Sequence, residues 1–240
     1  MRRIKKILLI TLVTMTIIFS VIVIGLTVVS FNAYKPLDEM YDAIETLDIA
    51  SVEMNEYYDS YKLKVANPKG QIVIIPGGLV YTESYLYLAY NLALDGYNVT
   101  LSKALFHLAI LTPNYASRFL SSTLPNIIIG HSLGGTVGGL ITSKYPDKVD
   151  HLILLASYTT TKIDKASTLL VQASNDEVIN KDKFDDSLVN YSNYQMSEIN
   201  GGNHAGFGWY GKQKGDGTAT ITTIDQQNQI IDIIILYLNS

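Results

Sequence analysis

The chain contains no cysteine among its 240 residues. That excludes disulfides, thiolate metal sites, a cysteine nucleophile and a lipidated N-terminal cysteine. Proline is scarce at six residues and tryptophan occurs once, and no Pro-rich or Gly/Ser-rich linker, repeat or low-complexity tract breaks the chain. Charge is also unevenly absent. From Ile7 to Phe31 there is none, whereas residues 1–6 carry Arg2, Arg3, Lys5 and Lys6. With those four set aside, 14 Lys and Arg face 22 Asp and Glu. An acidic remainder argues against nucleic acid as a partner, because phosphate binding needs an excess of basic side chains.

The uncharged run has a physical meaning of its own. As a helix, Ile7–Phe31 extends about 37 Å, more than the roughly 30 Å of a bilayer's hydrocarbon core. It has no polar face that would suit a buried helix, and it exceeds the usual signal-peptide core of about 7–15 residues. The reading is a transmembrane anchor, with a cleaved signal as the alternative. Only Val28 and Ser30 resemble a cleavage site; Phe31 and Ala33 fit badly. Four basic residues before the run, against a lone Lys35 just after it, place the N-terminus in the cytoplasm and the rest outside. The expected organisation is a basic segment at 1–6, an anchor at 7–31, a juxtamembrane segment at 32–60 and a catalytic domain at 61–240.

From Tyr61 onward, short apolar runs alternate with helical patterns. Strands are expected at 61–65, 71–75, 98–101, 126–129, 151–156, 168–173 and 195–199. Helices are expected at 37–49, 83–94, 134–145 and 223–238. Unbroken apolar runs suit strands covered on both faces, and their alternation with helices predicts a mostly parallel, doubly wound α/β sheet. Asn67-Pro68-Lys69-Gly70 is a turn signal, read as an early antiparallel hairpin.

One motif carries chemistry. Gly130-His131-Ser132-Leu133-Gly134 satisfies G-x-S-x-G and lies between an expected strand and an expected helix. That is the context a serine nucleophile needs on a sharp turn. Its hydroxyl requires a base. Of the four histidines, His131 adjoins the serine and would point away from it, His151 opens a strand, and His107 lies in an apolar stretch. His204 follows the last strand in Gly201-Gly202-Asn203-His204, the place for a base in the order Ser, acid, His. The acid should then follow a strand between them. Asp176 does so, with Glu177 its neighbouring competitor, while Asp164, Asp185 and Asp186 read as surface charge. Oxyanion donors are expected from the Leu133 N–H and from the loop Pro76-Gly77-Gly78-Leu79, through Gly78 or else Leu79. Asp216 is a candidate brace for the loop after His204, and Trp209 and Tyr210 either line the acyl pocket or pack. No metal-ligand spacing and no nucleotide fingerprint appears, so neither metal nor cofactor is expected.

Ile74–Gly78, Gly130–Gly135 and Gly201–Gly208, continuing through Tyr210-Gly211, Gln213 and Gly215-Asp216-Gly217, resemble a small bacterial α/β-hydrolase family related to dienelactone-hydrolase-like enzymes. The resemblance spans roughly residues 60–240. It implies an α/β-hydrolase fold and a Ser132–His204–Asp176 triad, and it fixes the reaction class better than the substrate; ester-type compounds (carboxylester, thioester or lactone) are expected. Glu177 stands where a glycine is more familiar after the acid. Members of the family often carry an N-terminal anchor or signal. Only about ten residues lie between the strands at 151–156 and 168–173, too few for a large lid; residues 104–122 are the other stretch able to cover the pocket. Two further readings use the same residues: acyl transfer to a cell-envelope hydroxyl, and a surface-binding protein that keeps the fold without turnover. A complete triad argues against the second.

Overall fold

The computed structural model describes residues 2–240. Helix α1 (Arg2–Phe31) is followed by α2 (Asp38–Glu45), β1 (Glu53–Glu56), β2 (Ser60–Lys64), β3 (Gln71–Ile75), α3 (Leu86–Leu94), β4 (Asn98–Ser102) and β5 (Asn126–His131). Then come α4 (Leu133–Lys144), β6 (His151–Leu155), β7 (Ser167–Ala173), α5 (Lys181–Ser187), β8 (Tyr194–Ile199) and α6 (Thr223–Leu238). The eight strands form one sheet in the order β1-β2-β4-β3-β5-β6-β7-β8. All neighbours from β4 to β8 run parallel, and β1 and β2 are the antiparallel edge. This is an α/β-hydrolase fold without a large lid.

The apolar strands serve two cores. Ile72, Ile74, Ile127, Ile129, Ile153 and Leu155 face α3 and α6. Val73, Ile75, Ile128, Leu152, Leu154 and Leu170 face Val137 and Ile141 of α4. Successive side chains of a strand point to opposite faces, so a strand covered twice must be apolar throughout. Each such side chain stabilises the fold by about 1.5–3 kcal/mol when fully buried.

One sequence expectation fails here. The turn at Asn67–Gly70 does not close a hairpin, because β4 lies between β2 and β3 and pairs with both. The hairpin is β1–β2, turning at Tyr57–Asp59. The turn chemistry at Asn67 is real, with φ at 51°, but a turn does not decide which strand fills the neighbouring slot.

The segment after α1 packs into the body. Met40 and Ile44 of α2 join the core beside α3, and β1 extends the sheet. Tyr34 forms a parallel bridge to Val80: its N–H donates to the Leu79 carbonyl at 2.8 Å, and its own carbonyl accepts from Tyr81 N–H at 2.8 Å. Helix α1 is itself exposed, and it is long and apolar enough to cross a membrane.

Candidate active site

Ser132 sits between β5 and α4 with φ 50° and ψ −123°, a conformation that L-residues rarely adopt. Such strain costs on the order of 1–3 kcal/mol and persists only where the surroundings over-determine it. Here they do. The Ser132 N–H donates to the Leu155 carbonyl at 3.0 Å, and the Ser132 carbonyl accepts from the Ser157 hydroxyl at 2.6 Å and from Gly135 N–H at 2.9 Å. A Cβ on Gly134 would overlap the backbone carbonyls of Ile75 and Pro76, and one on Gly130 would overlap the backbone of Gly135. The motif glycines therefore let α4 start close against the ends of β3 and β5. Of six non-glycine residues with positive φ, five lie in the connections at the C-terminal edge of the parallel strands: Leu79, Phe106, His107, Ser132 and Ala156.

His204 lies in the loop between β8 and α6, and its Nδ1 is 2.8 Å from Oδ2 of Asp176, in the loop after β7. Both side chains are buried. Asp176 Oδ1 accepts from the N–H groups of Val178 and Ile179 at 2.8 and 2.9 Å, which orients the carboxylate. Glu177, the competing acid, is exposed. The Ser132 hydroxyl makes no hydrogen bond among the described residues; such bonds often tighten only when substrate is bound.

Several polar groups hold the His204 loop. Asp216 accepts from three backbone N–H groups, those of His204 (3.2 Å), Ala205 (2.8 Å) and Gly217 (2.8 Å). Gln226 of α6 accepts from Asn203 N–H and donates to its carbonyl, and Gln227 donates to the Gly206 carbonyl at 2.7 Å. Both glutamines are buried. Both lie in the helix expected at 223–238, to which the sequence assigned no part in the site. The available signal was a Gln pair in the first turns of a helix next to the loop that carries His204.

The backbone N–H groups of Gly78 and Leu133 have no acceptor among the described residues, and neither has that of Gly134. Gly78 packs against the Leu133 side chain, because a Cβ on Gly78 would stand 2.9 Å from Cδ2 of Leu133. Leu79, the other candidate, already donates its N–H to the His107 carbonyl at 2.8 Å.

His131 differs most from expectation. Its ring does not point away from the site but packs against His204, with ring centroids 4.7 Å apart. The Tyr85 hydroxyl accepts from Gly77 N–H at 3.0 Å and lies 2.7 Å from His131 Nδ1. Donation from the hydroxyl to Nδ1 puts the imidazole proton on Nε2, and the reverse direction puts it on Nδ1. Burial first, and then the neighbouring His204, hold His131 well below the usual histidine range, while burial pushes Tyr85 up. A neutral His131 thus ties the Gly77 loop to the base of the elbow. Trp209 and Tyr210 are both buried. Trp209 packs edge-on against Tyr87, and Tyr210 packs against Tyr34. His151 pairs with Tyr237, and the His107 ring lies against Tyr81.

A model of the alpha/beta hydrolase family matches residues 71–228 of the sequence. No curated protein sequence matches. Among solved structures, the fold resembles a predicted CIB-like hydrolase from Thermoplasma acidophilum at a TM-score of 0.58 and 18% identity, covering 78% of this chain and 98% of that one. Dienelactone hydrolase from Anabaena variabilis aligns at a TM-score of 0.58 and 13% identity, over 77% and 96% of the two chains. Est1E from Butyrivibrio proteoclasticus, solved with ferulic acid bound, aligns at 0.53 and 14%, over 80% and 98%. At these identities the likeness is one of fold.

Proposed function

The chain belongs to the alpha/beta hydrolase family, and from that premise we propose that it hydrolyses ester-type substrates through Ser132, His204 and Asp176. The observation that carries the reading is the buried 2.8 Å pair between His204 and Asp176, set beside an elbow that holds Ser132 at a strained φ. Carboxylesters, thioesters and lactones are the substrate class.

In this reading the Ser132 Oγ attacks the carbonyl carbon while its proton passes to Nε2 of His204. Asp176 holds Nδ1–H and stabilises the imidazolium. The negative oxygen of the tetrahedral intermediate is bound by the N–H groups of Gly78 and Leu133. Collapse breaks the bond to the leaving group, which takes the proton from His204 and departs as an alcohol or thiol, or stays tethered when the substrate is a lactone. Water then gives a proton to His204, attacks the acyl-enzyme and releases the acid, and the proton returns to Ser132.

The apolar run at 7–31 is read as a membrane anchor, with the catalytic body on the outer side. The length and composition of α1 and the basic residues at 1–6 support that placement.

The test is labelling by a fluorophosphonate probe. Wild type should label and Ser132→Ala should not; an unlabelled wild type would sink the assignment. A panel of p-nitrophenyl esters, thioesters, lactones and amides then defines the acyl class, and added alcohol acceptors separate hydrolysis from acyl transfer.

A further inference from the structure

The C-terminal end of α1 is not a loose tether. Val23, Leu26, Thr27 and Ser30 are partly covered on an otherwise exposed helix, and their spacing puts them on one face. Among its tertiary contacts, α1 lies against the turn Leu105–His107. Immediately beyond α1, Tyr34 pairs with Leu79 and Tyr81, and Lys35 Nζ lies 5.9 Å from the centre of the Tyr81 ring. The anchor is therefore docked beside the loop that carries the Gly78 N–H.

The turn it touches is apolar. Residues 104–113 (Ala-Leu-Phe-His-Leu-Ala-Ile-Leu-Thr-Pro) contain no Asp, Glu, Lys or Arg. Leu105 is 56% exposed, Ile110 38% and Leu111 42%. The same stretch reaches the site. The His107 carbonyl accepts from Leu79 N–H, and a Cβ on Gly78 would stand 3.6 Å from Cδ2 of Leu108.

Depth decides what covers this surface. Val23 lies about 12 Å along the helix axis from Phe31. The apolar run exceeds a bilayer core by only about 7 Å, so even an upright helix pushed fully outward leaves part of the contact face within the hydrocarbon boundary. Tilting the helix sinks it further. Tyr34 and Tyr81 at the helix end, with Lys35, have the amphipathic chemistry of residues at a membrane–water boundary.

The geometry points to a catalytic mouth seated on the bilayer, with Leu105, Ile110 and Leu111 dipping into its interface and a membrane-resident acyl ester as the substrate. This rests on the serine-hydrolase and anchor readings above, and it narrows their substrate from ester-type compounds in general to lipid-type ones.

The absence of cysteine allows a direct test. Full-length Leu105→Cys, Leu111→Cys and Val189→Cys, each labelled with an environment-sensitive fluorophore, are reconstituted in phosphatidylcholine/phosphatidylglycerol vesicles. Val189 is 81% exposed and serves as the aqueous reference. Labels at 105 and 111 should be about fivefold less quenched by iodide than the label at 189, and quenched by lipids bearing a nitroxide on the acyl chain, as for an interfacial segment. Iodide quenching equal to that at 189 would overturn the seating. Protection from iodide without quenching by nitroxide lipid would overturn it too, since a protein copy would then be the cover. A fluorogenic diacylglycerol in the same vesicles tests the substrate: Leu105→Glu/Leu111→Glu should slow its cleavage about tenfold more than cleavage of p-nitrophenyl acetate in water. Equal losses would overturn the lipid-type substrate. Fluorophosphonate labelling of Ser132 in the same preparation reports separately on the hydrolase reading, so that failure there is distinct from failure of the seating.

Discussion

Nδ1 of His204 lies 2.8 Å from Oδ2 of Asp176, and neither side chain reaches solvent to any useful extent. A carboxylate in this position sets the imidazole tautomer that leaves Nε2 free to accept a proton. Asp176→Asn keeps the shape but permits the wrong tautomer. We expect kcat/KM for p-nitrophenyl acetate to fall by about 10³–10⁴ with little change in KM. Glu177→Gln, altering an exposed neighbour, should leave it within about twofold, as surface changes away from a site usually do. A loss of that size in Glu177→Gln with Asp176→Asn near wild type would transfer the role to Glu177.

Tyr85→Phe removes the hydroxyl that joins Gly77 N–H to His131. Gly77 N–H is then left buried without an acceptor, at a cost of about 1–3 kcal/mol. Urea denaturation should show that loss. The loop that holds the Gly78 N–H should also loosen, lowering kcat about tenfold, which is less than the full removal of an oxyanion donor. A stability loss with unchanged kcat would confine Tyr85 to a packing role.

Gly134→Ala is expected to be among the most damaging small changes in the protein. Its methyl would overlap the backbone carbonyls of Ile75 and Pro76, and backbone cannot rotate away as a side chain can. Overpacking of this kind costs about 1–3 kcal/mol or more. Thermal unfolding and fluorophosphonate labelling should both show the damage. Gly215→Ala meets nothing within 4 Å, but its positive φ of 84° makes it a milder, strain-only comparison.

The pH dependence of stability follows from three histidines. Burial holds His131, His107 and His151 below the usual range. The unfolded chain therefore binds protons that the folded chain refuses. Stability contributed by these groups is present above their unfolded value, near pH 6.5, and is lost as pH falls toward their folded values. Each contributes a slope of at most about 1.4 kcal/mol per pH unit in that window. His131→Gln should flatten the fall between pH 6.5 and 5 in urea titrations. An unchanged slope would mean that His131 is not held neutral by the fold.

Asp216→Ala would strip the acceptor from the N–H groups of His204, Ala205 and Gly217. Because Asp216 touches only backbone around His204, the expected loss is in kcat rather than KM, about 10- to 100-fold, since misplacement of a catalytic group is costly. Asp216→Asn, which keeps an acceptor oxygen, should recover part of the rate. A loss confined to KM would place Asp216 in substrate binding.

Local pattern carried far along this chain. The run Gln71–Ile75 and the amphipathic pattern Thr223–Leu238 coincide with β3 and α6 to the residue. Between an apolar strand and a glycine-rich helix start, G-x-S-x-G favoured an elbow over a plain strand-to-helix turn, and Ser132 does sit between β5 and α4. The position of Asp176 after β7 and of His204 after β8 followed from chain order. Weakly patterned pieces escaped notice: the polar edge strand Glu53–Glu56 and the short helix Lys181–Ser187 bury too little to leave a periodic signal.

Pairings between distant segments were decided only in three dimensions. That β4 lies between β2 and β3, that Glu177 turns to solvent while Asp176 turns inward, and that His131 meets both His204 and Tyr85 all depend on contacts 20 or more residues apart in sequence, or on the side from which a loop is packed. The same holds for the docking of α1 beside Leu79 and Leu105–His107. Hydropathy marks a span but carries no record of which loop stands next to it. By itself, the sequence determined the strongly patterned elements, the strand-to-helix turn at Ser132 and the chain order of the candidate residues Ser132, Asp176 and His204, because these are set by period, turn chemistry and chain direction. Which groups meet around Ser132 was left to tertiary packing, because it depends on burial shared among segments that have no local information about one another.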